Sequence, residues 1–185
     1  PYAERGRVTD EYIRVFKELW THEDPEFHGE YADFSDITFL PRSLQDPHPP
    51  IWIGGESKTA MRRVARVGDG WFPFGHNPRF PLDTLDRYKA GLETLQGLAE
   101  ENGRDFRELQ QAYVLMRWGS APGDALPPME SDGPATDANR RLMSGSIEQM
   151  ASDIKALESL GVTALILPAS LALRKPLEEA TREGR

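Results

Sequence analysis

An α/β fold built from repeated parallel strand–helix units is what this sequence predicts, and three observations carry the prediction. The first is the stretch Pro49 to Pro73, PPIWIGGESKTAMRRVARVGDGWFP. In it a short apolar strand, a Gly54-Gly55 turn, a helix and a second buried strand follow one another, which is one unit of a parallel sheet. The second is recurrence. Apolar runs centred on Tyr113–Met116 and Val162–Leu167 repeat the strand signal, and helical periodicity fills the segments before them. The third is the turn chemistry. Glycine, asparagine and proline stand at the ends of the helical patterns, where a chain reversing direction needs them.

Taken in order, Val8 to Trp20 reads as an amphipathic helix. Tyr12, Ile13, Phe16, Leu19 and Trp20 fall on one face, and Asp10, Glu11, Arg14, Lys17 and Glu18 on the other. Thr9 or Asp10 is the candidate cap, and packing against a sheet is the expected fate of the apolar face. Thr21 to His48 is polar and aromatic, with a hairpin expected around Gly29. Prolines 41, 47, 49 and 50 then impose an extended path. His22, His28 and His48 share no metal-ligand spacing, so no metal site is expected.

Strands are expected near 51–54, 70–73, 111–117 and 162–167, parallel and in sequential order. Glu56 to Val67 is the first crossover helix, with Ala60, Met61, Val64 and Ala65 inward and Ser57 as its N-cap. Arg62, Arg63 and Arg66 read as a solvated face rather than a phosphate clamp. Leu82 to Glu101 is the second, with Pro81 in its first turn and Asn102-Gly103 as its stop. Residues 119–145 lack apolar periodicity and are expected to form a mobile loop within one domain spanning 1–185. Ser146-Ile147-Glu148-Gln149 is a capping box opening a third helix. Val162 to Leu167 reads as a strand buried on both faces. A closing helix is expected over 171–183.

One leading helix and four βα units amount to half of a (β/α)8 barrel. Such a half has two open edges and an uncovered inner face. Together with a start at Pro1 rather than methionine, this leads to the expectation of a longer natural protein or of self-association, a homo-oligomer. The net charge of −8 argues against nucleic acid or anionic membrane as partners. The absence of cysteine excludes disulfides, thiolate metal sites and a cysteine nucleophile, and fits a cytoplasmic protein. No apolar run reaches membrane-spanning length.

The residues also carry a family likeness. Arg5-Gly6 through Glu11-Tyr12-Ile13, Leu19-Trp20-Thr21, Phe27-His28-Gly29-Glu30-Tyr31, Pro49 to Gly55, Gly68-Asp69-Gly70-Trp71 and Gly145 to Leu167 together resemble the luciferase-like monooxygenase family, and within it the coenzyme F420-dependent branch. The likeness covers the C-terminal part of that family's TIM-like barrel, strands five to eight and the helix before them. It implies a flavin or deazaflavin cofactor, F420 with FMN as the alternative, held in the mouth at the strand C-termini. It implies a cofactor phosphate at the turn after the family's fifth strand, here Gly54, Gly55, Glu56 and Ser57, with Lys58 and Thr59 in the first helical turn. The physics of a helix start agrees: backbone N–H groups without intrahelical acceptors, a serine hydroxyl and the positive end of the macrodipole converge there. Glu56 is expected to turn its side chain away or to accept from a backbone N–H.

Against this stands a plain βα turn with Ser57 as an ordinary cap. Trp71 is placed with the cofactor-binding residues, with a core role as its equal alternative. His76 sits where barrel enzymes carry catalytic groups, although a simple loop histidine is the preferred reading, and the catalytic residues are not identified. The leading expectation is a flavin-type oxidoreductase acting on a small molecule, by hydride transfer with F420 or oxygen activation with reduced FMN. The cofactor carries that chemistry, so no catalytic triad is needed. The alternatives are a non-catalytic half-barrel that binds a phosphate compound weakly or not at all, and, ranked last, a barrel lyase or isomerase. The last would need a Lys or Glu at a strand end.

Overall fold

The computed structural model describes residues 2–115, 140–166, 178–179 and 181–182. The chain divides into two compact units, 1–51 and 52–185, where the sequence reading expects one domain.

The first unit holds a short 3-10 turn at Tyr2–Glu4, helix α1 (Arg5–Thr21) and a hairpin of β1 (Phe27–His28) and β2 (Asp33–Phe34). Helix α1 begins three residues before the expected Val8. Thr9 and Asp10 therefore lie inside it, and the Thr9 hydroxyl donates back to the Arg5 carbonyl. The expected faces are also rotated. Ile13 and Val15 are buried, whereas Tyr12 and Phe16 are each 43% exposed. Glu11, assigned to the polar face, is buried. Its carboxylate accepts from the backbone N–H groups of Glu30, Tyr31 and Ala32 at 2.7–3.0 Å. Burial pushes its pKa up, but those N–H groups outweigh burial and hold it below the usual carboxylate range. Gly29 matters here through close approach, since any side chain at that position collides with the Glu11 carboxylate. The hairpin forms where it is expected, and Glu11 is what organises its loop.

The second unit is built on a parallel sheet of β3 (Trp52–Gly54), β4 (Gly70–Phe72), β5 (Gln110–Val114) and β6 (Val162–Ile166) in sequential order. All four strands, their parallel sense and their order match the sequence expectation. Helix α2 (Lys58–Val67) joins β3 to β4, and α3 (Leu85–Glu101) with a 3-10 turn (Phe106–Glu108) joins β4 to β5. Helix α4 (Ile147–Ser159) precedes β6. Each helix has the cap chemistry its sequence supplies. The Ser57 and Thr84 oxygens accept from Ala60 and Arg87 N–H, and Ser146 with Gln149 completes the capping box. At the other end of α2, Arg104 donates to the carbonyls of Val64, Ala65 and Gly68, as expected where the negative end of the macrodipole meets a cation.

Helix α3 starts later than the periodicity suggests. Leu82, Asp83 and Thr84 are a buried lead-in rather than a first turn. Asp83 draws the start back, because it is committed to Arg87 and Arg141 at 2.7 and 3.1 Å. Strand β6 departs from its reading as well. Its residues are half-buried or exposed, with Ile166 at 39%. Among the described residues its one strand neighbour is β5, and its burial does not reach the two-faced burial expected of it.

The expected mobile loop at 119–145 falls, up to residue 139, outside the described residues. Residues 140–145 are pinned. Arg140 makes a two-pronged ion pair with Asp153, Met143 N–H donates to the same carboxylate, and Leu142 N–H donates to the Asp83 carbonyl. The expected closing helix also lies largely outside the described residues, although 178–179 and 181–182 are helical.

Candidate functional site

Strands of a parallel sheet alternate their side chains, and β3 and β4 use both faces. Ile53 and Trp71, paired in register, are buried. Trp52 and Phe72 share the other face, their rings 6.0 Å apart. The backbone turns at the C-terminal ends of these two strands form the candidate site.

The turn after β3 brings several hydrogen-bond donors to one helix start. Gly55 has φ +112°, a conformation that favours glycine, and a Cβ there would stand 3.0 Å from the Ala60 Cβ. Ser57 is extended (φ −72°, ψ 149°), as an N-cap should be. Its oxygen accepts from Ala60 N–H at 3.2 Å, which leaves its own hydroxyl proton available to a ligand. Lys58 and Thr59 are exposed and form the first turn of α2, so their N–H groups have no acceptor within the helix. Gly54 is exposed as well. Backbone donors and a hydroxyl thus meet at one helix start that carries a lysine in its first turn, a donor set whose chemistry suits an anion.

Two residues assigned to cofactor binding from sequence take other roles. Trp71 is fully buried, stacked on Tyr88 of α3 with centroids 5.8 Å apart and planes 2° apart. Its indole N–H donates to the Gly55 carbonyl at 2.9 Å. It fills the sheet–helix core and holds the turn from behind, so of the two roles weighed for it the core role is the one seen. Glu56 is also buried. Both its oxygens are occupied by the protein's own donors, Phe74 N–H on Oε1 and the Asn77 side-chain amide on Oε2. It bonds a backbone N–H, one of the two fates expected for it from sequence.

The loop after β4 carries His76. The ring is half-buried, and its Nδ1 is buried with no hydrogen-bond partner. Burial lowers its pKa and Arg141 lowers it further, against an upward pull from Asp83. The net effect favours the neutral imidazole. Beneath the loop, the Tyr113 hydroxyl donates to the Leu82 carbonyl at 2.9 Å and Tyr88 donates to the Ala112 carbonyl at 3.1 Å. Burial pushes both phenol pKa values up, so these groups serve as fixed structural donors. Among the described residues no cluster of His, Cys, Asp and Glu has the makings of a metal site, and no helix is long and apolar enough to cross a membrane.

A family model described as luciferase-like monooxygenase matches residues 1–121. The chain belongs to the luciferase-like monooxygenase family. Among its curated luciferase-like relatives is an FMNH(2)-dependent dimethylsulfone monooxygenase of Pseudomonas putida, 34% identical over 116 residues, covering 63% of this chain and 30% of that protein. An uncharacterized protein of Mycobacterium tuberculosis is 38% identical over 108 residues, 56% of this chain and 33% of that one. The chain thus spans about a third of the length of these relatives. Among solved structures, DmoA from Hyphomicrobium sulfonivorans superposes with a TM-score of 0.68 at 13% identity, covering all of this chain and 57% of its own. The coenzyme F420-dependent tetrahydromethanopterin reductase from Methanopyrus kandleri gives 0.62 at 15%, covering 96% and 60%. At those identities the match speaks to the fold, which is the part-barrel of parallel βα units described above.

Proposed function

We propose that this chain is the phosphate-holding part of a reduced-flavin-dependent monooxygenase, and that it takes FMN at the turn Gly54–Thr59. The observation that carries the reading is the turn itself: a left-handed Gly55, the unspent Ser57 hydroxyl proton and the open N–H groups of Lys58 and Thr59 at a parallel strand's C-terminal end. The sequence expectation puts F420 first and FMN second. We reverse that order because the relative at 34% identity is named for FMNH(2), whereas the F420 names belong to structures at 15–16% identity.

In this reading the cofactor supplies the redox chemistry when bound. The residues of this chain bind and orient it. Ser57 donates its hydroxyl to a phosphate oxygen, the N–H groups of Lys58 and Thr59 donate to the same group, and the Lys58 ammonium adds charge. Glu56 and Trp71 keep the turn in shape without touching the ligand. His76 contributes a neutral imidazole at the same end of the sheet. The apolar edge at β6 is the surface we assign to pairing with further chain, from this protein or from a second copy.

Titrating the full-length protein with FMN, riboflavin and F420 tests the proposal. The expected result is binding of FMN, and weaker binding of riboflavin, which has the same ring but no phosphate. Binding of F420 in place of FMN would return the reading to the deazaflavin branch. Binding of none would leave the non-catalytic half-barrel.

A further inference from the structure

Glu56 is joined to more than the turn it sits in. Its carboxylate spans from the end of β3 to the loop after β4, with Oε1 on Phe74 N–H and Oε2 on the Asn77 amide. Asn77 is used on both sides. Its Oδ1 accepts from the N–H groups of Arg79 and Phe80 at 3.0 and 3.3 Å. One continuous chain of hydrogen bonds therefore runs from the residue before Ser57 to the turn at 77–80. The loop is tied on its other side to β5 and to itself, through Gly75 N–H on the Val114 carbonyl and Leu82 N–H on the Gly75 carbonyl, both at 3.0 Å. With that side fixed, the loop is a rigid reference, and Glu56 is what registers the β3 turn against it.

We propose that Glu56 is a positioning residue for the anion cradle, acting through Asn77, and that the two side chains set the height of the Ser57–Thr59 donors above the sheet. The proposal rests on the reading of that turn as the phosphate site. The argument is donor and acceptor arithmetic. A carboxylate offers acceptors only, and both its oxygens face donors. Glutamine in its place has one acceptor and one NH2, so one of the two bonds is replaced by donor facing donor. Rotating the Asn77 amide to suit the new NH2 turns its oxygen away from the Arg79 and Phe80 N–H groups. No local flip satisfies every group, so the misfit falls on the backbone of one turn or the other.

The same arithmetic specifies a repair. In the reciprocal pair Glu56→Gln with Asn77→Asp, the new NH2 donates to one Asp oxygen while the other still accepts from the 79 and 80 N–H groups. The glutamine oxygen still accepts from Phe74 N–H. Every bond is recovered with the direction of one reversed.

The test measures dissociation constants for FMN and for riboflavin, with melting temperature, in wild type, Glu56→Gln, Asn77→Asp, Asn77→Ala and the reciprocal double variant of the full-length protein. Each single change is expected to weaken FMN by about tenfold, the scale of a misplaced hydrogen bond to a charged group. Riboflavin affinity should hold, and the double variant should regain FMN affinity. Asn77→Ala removes the brace without adding charge, so a Glu56→Gln protein that fails to fold leaves the question answerable. A lowered melting temperature with FMN affinity unmoved would overturn the proposal and leave Glu56 a purely structural brace. Failure of the double variant to recover FMN affinity would overturn it as well. A wild-type protein with no preference for FMN over riboflavin would overturn the phosphate reading itself and this proposal with it. A preference that persists unchanged in Glu56→Gln would overturn this proposal alone.

Discussion

Trp71→Ala is expected to destabilise the 52–185 unit by about 3–5 kcal/mol, the range for emptying a fully buried large aromatic position. The indole is 0% exposed, stacked on Tyr88 and bonded to the Gly55 carbonyl. Alanine removes the stack, opens a cavity between β4 and α3, and releases the backbone of the candidate cradle at once. A fall in the denaturant midpoint followed by circular dichroism measures the first two effects. Trp71→Phe separates the third. It keeps an aromatic ring against Tyr88 but loses the N–H bond and the part of the indole packed against Gly91, so its cost should lie below that of alanine, at about 1–3 kcal/mol. A Trp71→Ala protein as stable as wild type would contradict the placement of this ring in the core.

Asp153→Ala is expected to cost a similar amount, about 3–5 kcal/mol, for a different reason. Removing one partner of a buried pair strands the other charge. Arg140 is mostly buried at 21% side-chain exposure, and both its prongs lean on Asp153. The same carboxylate is the acceptor for Met143 N–H at 2.7 Å, and Met143 is buried at 1%. The variant therefore leaves Arg140 with only the Arg141 and Ser144 carbonyls as acceptors and no counter-charge, and leaves the Met143 N–H without its acceptor. Replacing both members, Arg140→Met with Asp153→Leu, should cost less than the single change, because no buried charge is left over and only the Met143 N–H still lacks its acceptor. Chemical denaturation of the three variants reads the difference directly. Equal costs for the single and double changes would mean that the pair is not what holds the segment.

Both predictions rest on contacts that the sequence conceals, whereas the framework that positions them is open to reading. The four parallel strands, α2 with its Ser57 cap and the α4 capping box are local signals. A serine followed three residues later by glutamine, or an Ile-Trp-Ile run ending in Gly-Gly, carries its structure within a few residues. Glu11 is the opposite case. By periodicity it belongs on a polar face, yet its acceptors are spent on N–H groups 19–21 residues away. Glu56 reaches 18 and 21 residues to its partners. A carboxylate buried on backbone donors looks, in a sequence, like any surface carboxylate.

The candidate site divides along the same line. Gly54, Gly55, Ser57, Lys58 and Thr59 are legible because cap chemistry and helix starts are local. The role of Trp71 is not, since the residue lies on a strand whose two faces differ and the sequence leaves its face open. The start of the helix after β4 is similarly blurred. The start of α3 depends on Asp83 being drawn to Arg87 and to Arg141, the second of which lies 58 residues away in sequence.

The most direct test of the central claim, that the turn Gly54–Thr59 holds the cofactor phosphate, is a comparison of FMN with riboflavin in wild-type and Ser57→Ala full-length protein. The variant loses a hydroxyl donor and an N-cap, and riboflavin controls for the cap. The expected result is a loss of about 1.5–3 kcal/mol in FMN binding, the range for a hydrogen bond to a charged group, or roughly ten- to a hundredfold in dissociation constant. Riboflavin affinity should stay where it is. Equal losses for the two ligands, or no loss for either, would contradict the claim and move the phosphate away from this turn.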